Sequence, residues 1–301
     1  MMLPSIKRRS ASVPNAEASG LMLNGQTLRQ KMIPSADNIV QPIQQTIIEK
    51  PREQHLKVRR KQRIILGKGD QKILDGFAIL GASGVGLPVD ALVGNLSDRN
   101  FTGVAEDDLA FFSEMLCLDV SENYLQFSHF GNLPKLEELK LACNNIKEIK
   151  VGDVQRVENF ASLRLLDLSY NQLSSSSVLS LGCLPHLKEL NLCGNQLTSL
   201  PVLTDCYNTL EKLLLERNKL DSSQVFCSLA CLPNLRELGL AYNFLGNVPP
   251  ELCGAGTFLT LEVLDLAYNS FAHESSVEAV LEMPRIRSVL LYGNPFLGDD
   301  S

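Results

Sequence analysis

Tryptophan is absent from this 301-residue chain, and aromatic residues make up only 6% of it. Leucine recurs throughout instead, which is typical of a small unit stacked many times. No run of about 18 apolar residues occurs, and the start, MMLPSIKRRS, lacks the apolar stretch of a secretory signal. We therefore expect no membrane association and a cytoplasmic or nuclear location.

The eight cysteines and four histidines form no recognisable metal or catalytic set. No C-x-x-C pair is present, and no histidine follows at zinc-ligand spacing. The glycine spacing of residues 81–88 resembles that of a phosphate-binding loop, but Leu87 and Pro88 occupy the positions of its lysine and its hydroxyl residue. We interpret this segment as a turn-rich linker. The sequence predicts a non-enzymatic protein with no cofactor and no metal.

Charge divides the chain into a basic arm and an acidic body. Residues 1–105 carry 15 basic and 8 acidic residues, a balance of +7, and residues 106–301 carry 13 and 26, a balance of −13. The acidic body argues against nucleic-acid binding, which needs clustered cations. We expect a mostly disordered arm over 1–75, a linker and N-terminal cap over 76–114, and a repeat domain over 115–301.

One pattern, L-x-x-L-x-L-x-x-N-x-L, recurs eight times in the acidic part. Its asparagines are Asn123, Asn144, Asn171, Asn195, Asn218, Asn243, Asn269 and Asn294, at intervals of 21, 27, 24, 23, 25, 26 and 25 residues. This is the leucine-rich repeat. The L-x-L segment predicts a short strand with leucines pointing inward, and the asparagine amide can satisfy backbone groups of adjacent coils.

The segments between the strands predict the outside of a curved solenoid. Three of them combine a serine cap, an apolar stripe and a late proline (Pro185, Pro233 and Pro284), which favours a short helix. Others, around Pro201 and Pro249, look extended. The predicted fold class is therefore α/β: a leucine-rich-repeat horseshoe with a parallel inner sheet and mixed short helices and extended outer segments.

A solenoid must cover its apolar ends. Residues 95–112 offer a short apolar segment followed by a helix with an acidic first turn, which we interpret as the N-terminal cap. Only five residues follow Phe296, too few for a second cap, and this favours a truncated product of a longer chain.

The inner face is the predicted binding surface. Its outward positions are mainly acidic, so we expect a protein partner with a basic surface. Tyrosines stand beside the repeat asparagines and offer contact area at low entropic cost. They could instead pack on one another as a ladder that stiffens the curve. The candidate binding residues are Tyr170, Glu189, Lys212, Glu216, Arg217, Glu237, Tyr242, Asp265, Tyr268 and Tyr292.

Two short signals occur in the arm. A basic cluster resembles a nuclear-localisation signal, although a solvated linker has the same composition; its residues are Lys57, Arg59, Arg60, Lys61 and Arg63. The stretch R-S-A-S-V-P places Ser12 where phosphorylation would create a site for a 14-3-3 protein.

The segment before the repeats, LSDRNF at 96–101 and EDDLAFF at 106–112, resembles X-ray radiation resistance-associated proteins, as does LDVSENYL at 118–125. The resemblance covers roughly residues 95–296. It implies a cytoplasmic and nuclear leucine-rich-repeat protein linked to the response to radiation damage, and it supplies no catalytic residues. We therefore expect an interaction scaffold or adaptor. The alternative is a structural component of a ciliary or cytoskeletal assembly.

Overall fold

A computed structural model describes residues 22–23, 26–27, 71–154, 160–252 and 256–298. Two short strands, β1 (Met22–Leu23) and β2 (Gln26–Thr27), pair antiparallel. The basic cluster at 57–63 and Ser12 lie outside the described residues, and their predicted roles stay predictions.

A nine-stranded parallel sheet organises the described repeat region. Its strands, in chain order, are β4 (Val93–Asn95), β6 (Cys117–Asp119), β7 (Glu138–Lys140), β8 (Leu165–Asp167), β9 (Glu189–Asn191), β10 (Lys212–Leu214), β11 (Glu237–Gly239), β12 (Val263–Asp265) and β13 (Ser288–Leu290). Neighbours in the chain are neighbours in the sheet. The central residue of each strand is buried and the flanking two face outward, as the L-x-L alternation predicts. This arrangement is the predicted solenoid.

The connections between strands are short and varied. The α-helices are α1 (Gly76–Ser83), α2 (Glu106–Leu109), α3 (Val151–Val154), α4 (Ser175–Leu181) and α5 (Gln224–Leu229). Single 3-10 turns occupy Pro88–Asp90, Phe127–Phe130, Pro250–Leu252, Glu274–Ser276, Glu278–Glu282 and Pro295–Leu297. The predicted helices before Pro185 and Pro233 are α4 and α5, whereas the segment before Pro284 forms 3-10 turns.

The serine caps differ from expectation. Ser174 is the N-cap of α4, but its hydroxyl makes no capping bond and lies 3.0 Å from Ser177 Oγ. Ser177 is buried and accepts a bond from Ile149 N at 2.9 Å in the preceding coil. This serine therefore joins two coils rather than closing one helix.

The sheet has one strand more than the eight predicted repeats. Strand β4 pairs with β6 so that Gly94 stands opposite Leu118, and its coil continues through buried Leu96 and Phe101. By the same register, Arg99 takes the position of the repeat asparagine. The coil is a degenerate repeat, because glycine and arginine stand where the template has leucine and asparagine.

The start of the described region also differs from a turn-rich linker. Helix α1 includes Gly81 and Ser83; Asp75 caps its start by accepting a bond from Ala78 N at 2.8 Å, and Gly84 ends it in the left-handed conformation at φ 69°. Strand β3 (Ile73–Leu74) pairs with β5 (Gly103–Val104) beside the first coil. The expected acidic helix is α2, whose first turn holds three carboxylates.

The repeat asparagines bridge coils as predicted. The side chain of Asn218 is buried; its Nδ2 donates to Leu192 O at 3.0 Å and Leu215 O at 2.9 Å. Its Oδ1 accepts from Asn195 N at 3.1 Å and Leu197 N at 3.0 Å in the preceding coil. Because backbone groups in these turns lack strand partners, the amides replace hydrogen bonds that burial would otherwise forfeit.

Candidate functional site

The outward side chains of the strands form a mixed but mainly acidic inner surface. We call its seven carboxylates the acidic floor: Asp119, Glu138, Asp167, Glu189, Glu216, Glu237 and Asp265. Lys212 pairs with Glu237 at 2.6 Å. A shallow hollow lies among β7 to β10, where Lys140, Asp167, Glu189 and Lys212 line it. The floor is therefore a polar surface on a rigid sheet.

Glu216 reaches across to the next coil because Gly239 has no side chain. A Cβ on Gly239 would overlap Glu216 Oε1, so the carboxylate occupies the place of a missing side chain. The Cys193 thiol donates to Glu216 Oε2 at 2.7 Å from the other side. Burial raises the pKa of the Glu216 carboxyl, and it raises the pKa of the Cys193 thiol well above its usual range.

A second carboxylate follows directly in the next strand. Asp265 is the register partner of Gly239, so the Glu216 carboxylate above Gly239 lies beside it. Burial raises the pKa of Asp265, and the bond that its Oδ1 accepts from Ala267 N at 2.9 Å opposes that effect. Asp265 also contributes to the raised pKa of Glu216. Two desolvated carboxylates side by side favour an approaching cation.

Three tyrosines and one arginine form a continuous stack along the edge of the floor. The rings of Tyr242 and Tyr268 are stacked with centroids 4.4 Å apart, and Tyr292 meets Tyr268 edge-on at 5.3 Å. The Arg217 guanidinium lies 4.2 Å above the Tyr242 ring. We call these four residues the tyrosine column.

Of the two alternatives that the sequence left open for these tyrosines, the structure shows the packing of the rings on one another, and binding stays a prediction. The rings of the column pack on one another, yet Tyr242, Tyr268 and Tyr292 keep 36%, 43% and 50% of their surface exposed. Burial raises the pKa of Tyr292, and Asp265 adds to that effect. Stacked and still exposed, the rings are ordered before any partner arrives, which reduces the entropy cost of binding.

The backbone explains why the column exists. The residue before each repeat asparagine has positive φ, including Tyr170 at 55°, Tyr242 at 57° and Tyr268 at 52°. Glycine takes this position at Gly194 and Gly293, where a Cβ would collide with the ring of Tyr170 or Tyr268 from the preceding coil. The rings of Tyr170, Tyr242 and Tyr268 therefore lean toward the following coil. Tyr170 lies over Gly194 and is separate from the column.

Several other cations of the described repeat region form ion pairs at a different edge of the sheet. They stand just before the strands and pair with carboxylates of adjacent coils: Lys188 with Glu211 at 2.7 Å and Arg287 with Glu262 at 2.9 Å. Arg236 also approaches Glu262, at 3.9 Å. Each exposed pair contributes at most about 1 kcal/mol. These cations leave the acidic floor largely unneutralised.

The structure brings most of the predicted binding residues together on one surface. It also adds three residues to that surface that the repeat template did not indicate. Glu189, Lys212, Glu216, Glu237 and Asp265 lie on the floor. Cys193, Gly239 and Ala267 stand at variable template positions, where their effect depends on the neighbouring coil. The one feature of the sequence that could have indicated this contact is the glycine at position 239, one coil after Glu216.

Within the described ranges, no group of three or more His, Cys, Asp or Glu side chains is arranged to hold a metal ion. No helix in that part of the chain has both the length and the apolar character to cross a membrane.

Comparison with known proteins places the fold in a class. Residues 134–197 match the model of the leucine rich repeat. The structure is similar to internalin C2 of Listeria monocytogenes, with a TM-score of 0.54 and 20% identity over 72% of this chain and 91% of that one. It is also similar to a leucine-rich-repeat protein of Leptospira interrogans, with a TM-score of 0.52 and 21% identity over 75% and 60%. The fold is thus a leucine-rich-repeat solenoid.

Among curated proteins, the chain is similar to X-ray radiation resistance-associated protein 1 of Mus musculus, with 35% identity over 188 residues. The match covers 56% of this chain and 23% of that protein. Toll-like receptor 1 of Homo sapiens is 32% identical over 61% of this chain and 23% of its own length. The chain thus spans about a quarter of these two relatives, and leucine-rich repeats alone account for part of each likeness.

Proposed function

We propose that this protein is a non-enzymatic interaction scaffold that binds a basic protein surface on its acidic floor and tyrosine column. The observation that carries the proposal is the ordered, half-exposed stack of Tyr242, Tyr268 and Tyr292 beside two desolvated carboxylates. Aromatic side chains and charge complementarity are the usual anchors of such interfaces. Leucine-rich-repeat domains are typically interaction modules, which supports the coarse assignment.

Affinity capture with isotope-coded mass spectrometry tests the proposal. The double variant Tyr242→Ala/Tyr268→Ala removes two exposed rings and leaves the repeat asparagines unchanged. We expect it to lose captured partners at least about tenfold, because truncation of hot-spot aromatics costs about 2 kcal/mol or more. The matched control is Leu259→Ala, which removes an apolar side chain that is 56% exposed and precedes β12 outside the site.

Equal capture by the tyrosine variant and the wild-type protein would contradict the proposed surface. A cooperative thermal transition in both variants is the required control for folding. Retained folding together with lost capture distinguishes binding by the rings from a purely stiffening role.

The cellular role is proposed from the likeness to X-ray radiation resistance-associated protein 1: a scaffold in the response to radiation damage, acting in the cytoplasm and nucleus. Imaging of the tagged protein before and after irradiation tests it. Nuclear accumulation that depends on Lys57, Arg59, Arg60, Lys61 and Arg63 supports both the role and the localisation signal. Decoration of filaments would instead support the structural alternative.

A 14-3-3 protein is proposed as a second, phosphorylation-dependent partner. The phosphate on Ser12 would be held by a cationic groove. A phospho-Ser12 peptide should enrich 14-3-3 proteins over the unmodified peptide, and no enrichment would end this proposal.

A further inference from the structure

The tyrosine column already holds a cation at one end. The Arg217 guanidinium lies 4.2 Å from the centroid of the Tyr242 ring, and the other face of that ring is stacked on Tyr268 with centroids 4.4 Å apart. The negatively polarised face of an aromatic ring attracts a positive charge. Arg217 therefore shows that a ring of this column takes a cation in its folded setting.

The other end of the column forms a corner between two rings. Tyr292 meets Tyr268 at an interplanar angle of 89°, with ring centroids 5.3 Å apart. The two side chains keep 50% and 43% of their surface exposed, so a ligand can reach them. A cation in the corner between two such rings lies within about 6 Å of both centroids, which is the range of cation–π attraction.

A carboxylate lies close to this corner. Burial raises the pKa of the Tyr292 phenol, and the charge of Asp265, which is near enough to act on it, adds to that effect. Two arginines of the surrounding coils, Arg236 and Arg287, pair with Glu262 at the other edge of the sheet. These two arginines therefore leave the charge of Asp265 available to a bound cation.

A small residue separates the two rings in the register of the sheet. Asp265 is the register partner of Leu290, so Ala267 is the counterpart of Tyr292 one coil earlier. Ala267 is buried, and its N–H donates to Asp265 Oδ1 at 2.9 Å, which fixes the orientation of the carboxylate. A longer side chain at position 267 would compete with a ligand for the corner, and alanine contributes only a methyl group.

The chemistry of the corner favours an ammonium group that has no N–H donors. A primary ammonium brings three donors, and on leaving water it needs an acceptor for each of them. Ring faces attract charge but are poor acceptors, and one carboxylate does not replace three water molecules. A trimethylammonium group carries the same charge, has no donor to satisfy and presents its methyl groups to the rings.

We propose that the corner formed by Tyr268, Tyr292 and Asp265 binds the side chain of a trimethylated lysine on a partner protein. This inference deepens the proposed function and rests on it, since it names the group that the same surface recognises. The corner itself can be tested on the full chain with a small probe.

NMR spectroscopy of the full chain with carbon-13-labelled tyrosine rings tests the corner. The chain has six tyrosines, so the ring spectrum is simple. Tyr124, Tyr170 and Tyr207 lie outside the tyrosine column and serve as internal references. The probe is Nα-acetyl-Nε-trimethyllysine amide. We expect saturable shifts at the rings of Tyr268 and Tyr292 and no saturable shift at the three reference rings.

Two further probes separate charge from shape. Capped unmodified lysine keeps the charge and has three N–H donors, whereas the neutral isostere, in which carbon replaces the ammonium nitrogen, keeps the shape. We expect the trimethyllysine probe to bind about fivefold or more tightly than either, because both rings favour a cation without donors. Equal affinity for capped lysine would overturn the assignment of a methylated ligand. Equal affinity for the neutral isostere would overturn the attraction of charge.

Matched variants test the named side chains. Tyr292→Phe keeps the ring and should bind within about twofold of the wild-type protein, whereas Tyr292→Ala should lose about fivefold or more in affinity. Asp265→Asn keeps the acceptor for Ala267 N and should weaken the trimethyllysine probe alone, leaving the neutral isostere unchanged. The buried Tyr207 ring reports in each variant whether the solenoid stays folded. Unchanged affinity in a folded Tyr292→Ala variant would overturn the proposal.

Failure of this inference and failure of the proposed function are distinguishable. The absence of saturable shifts at Tyr268 and Tyr292 would overturn the trimethyllysine site and leave the protein-binding surface standing, because partner capture is measured separately with Tyr242→Ala/Tyr268→Ala. Unchanged capture by that double variant would contradict the protein-binding surface. Saturable binding of the probe would in that case still support the ammonium site.

Discussion

Removal of one repeat asparagine offers a direct test of how the coils are held together. In Asn218→Ala, Leu192 O keeps its bond from Asn195 Nδ2 and Leu215 O keeps its bond from Asn243 Nδ2, both at 3.0 Å. The N–H groups of Asn195 and Leu197 lose the oxygen that both of them use. Two buried donors without acceptors, at about 1–3 kcal/mol each, predict a loss of about 3 kcal/mol in the free energy of unfolding.

Urea denaturation followed by circular dichroism measures that loss. The control is Asn234→Ala, because Asn234 is exposed and its amide donates to Asn208 O alone, at 2.6 Å; we expect a change below about 0.5 kcal/mol. A loss under about 1 kcal/mol for Asn218→Ala would refute the hydrogen bonds of the repeat asparagines as a main source of cohesion between coils. Asn218→Asp keeps the acceptor but points a second oxygen at carbonyl groups, so it should rescue little at neutral pH.

Two further predictions concern the inner surface. Gly194→Ala should destabilise the protein by about 1 kcal/mol more than Gly84→Ala in urea denaturation, because both have positive φ but only the first would push a Cβ into the Tyr170 ring; equal losses would contradict the leaning of that ring. Glu216→Gln should stabilise the protein increasingly as the pH rises above the usual range of a carboxyl group, because burial raises the pKa of the folded Glu216 carboxyl. The wild-type protein loses stability over the pH range in which this group is ionised in the unfolded chain but still protonated in the folded one, and the difference levels off above that range. A pH-independent difference would contradict the desolvation of Glu216, which Gln can replace as acceptor for Cys193.

The sequence predicts the repeated part of the fold well because each coil buries leucines at the same positions of the repeat. The leucines at 213, 238 and 264 stand at the strand centres and are buried, as the template requires. The asparagine register follows from the same pattern. The first coil escaped detection because Gly94 and Arg99 break the template at its two most informative positions, while the stacking of Leu96 and Phe101 preserves the geometry.

The location of the candidate site could be predicted from the sequence, but the contacts among its residues could not. Alternation assigns Glu216 and Asp265 to the inner face, but their approach depends on Gly239, which lies in the coil between them. Likewise, the tyrosines at 242 and 268 are visible in the sequence, whereas their stacking follows from the positive φ that both share. Such contacts join residues about 25 positions apart and depend on the curvature of the sheet, which a repeat template does not encode.

Site-specific photocross-linking in cells tests the central claim, that the inner C-terminal surface binds a protein, most directly. A photoreactive phenylalanine replaces Tyr268 on the tyrosine column in one variant and Leu259, outside the site, in the other. We predict that the residue at position 268 yields a discrete protein adduct whose partner peptide is rich in lysine or arginine, and that position 259 does not. Adducts to the same partner from position 259 alone, or equally from both positions, would contradict the account.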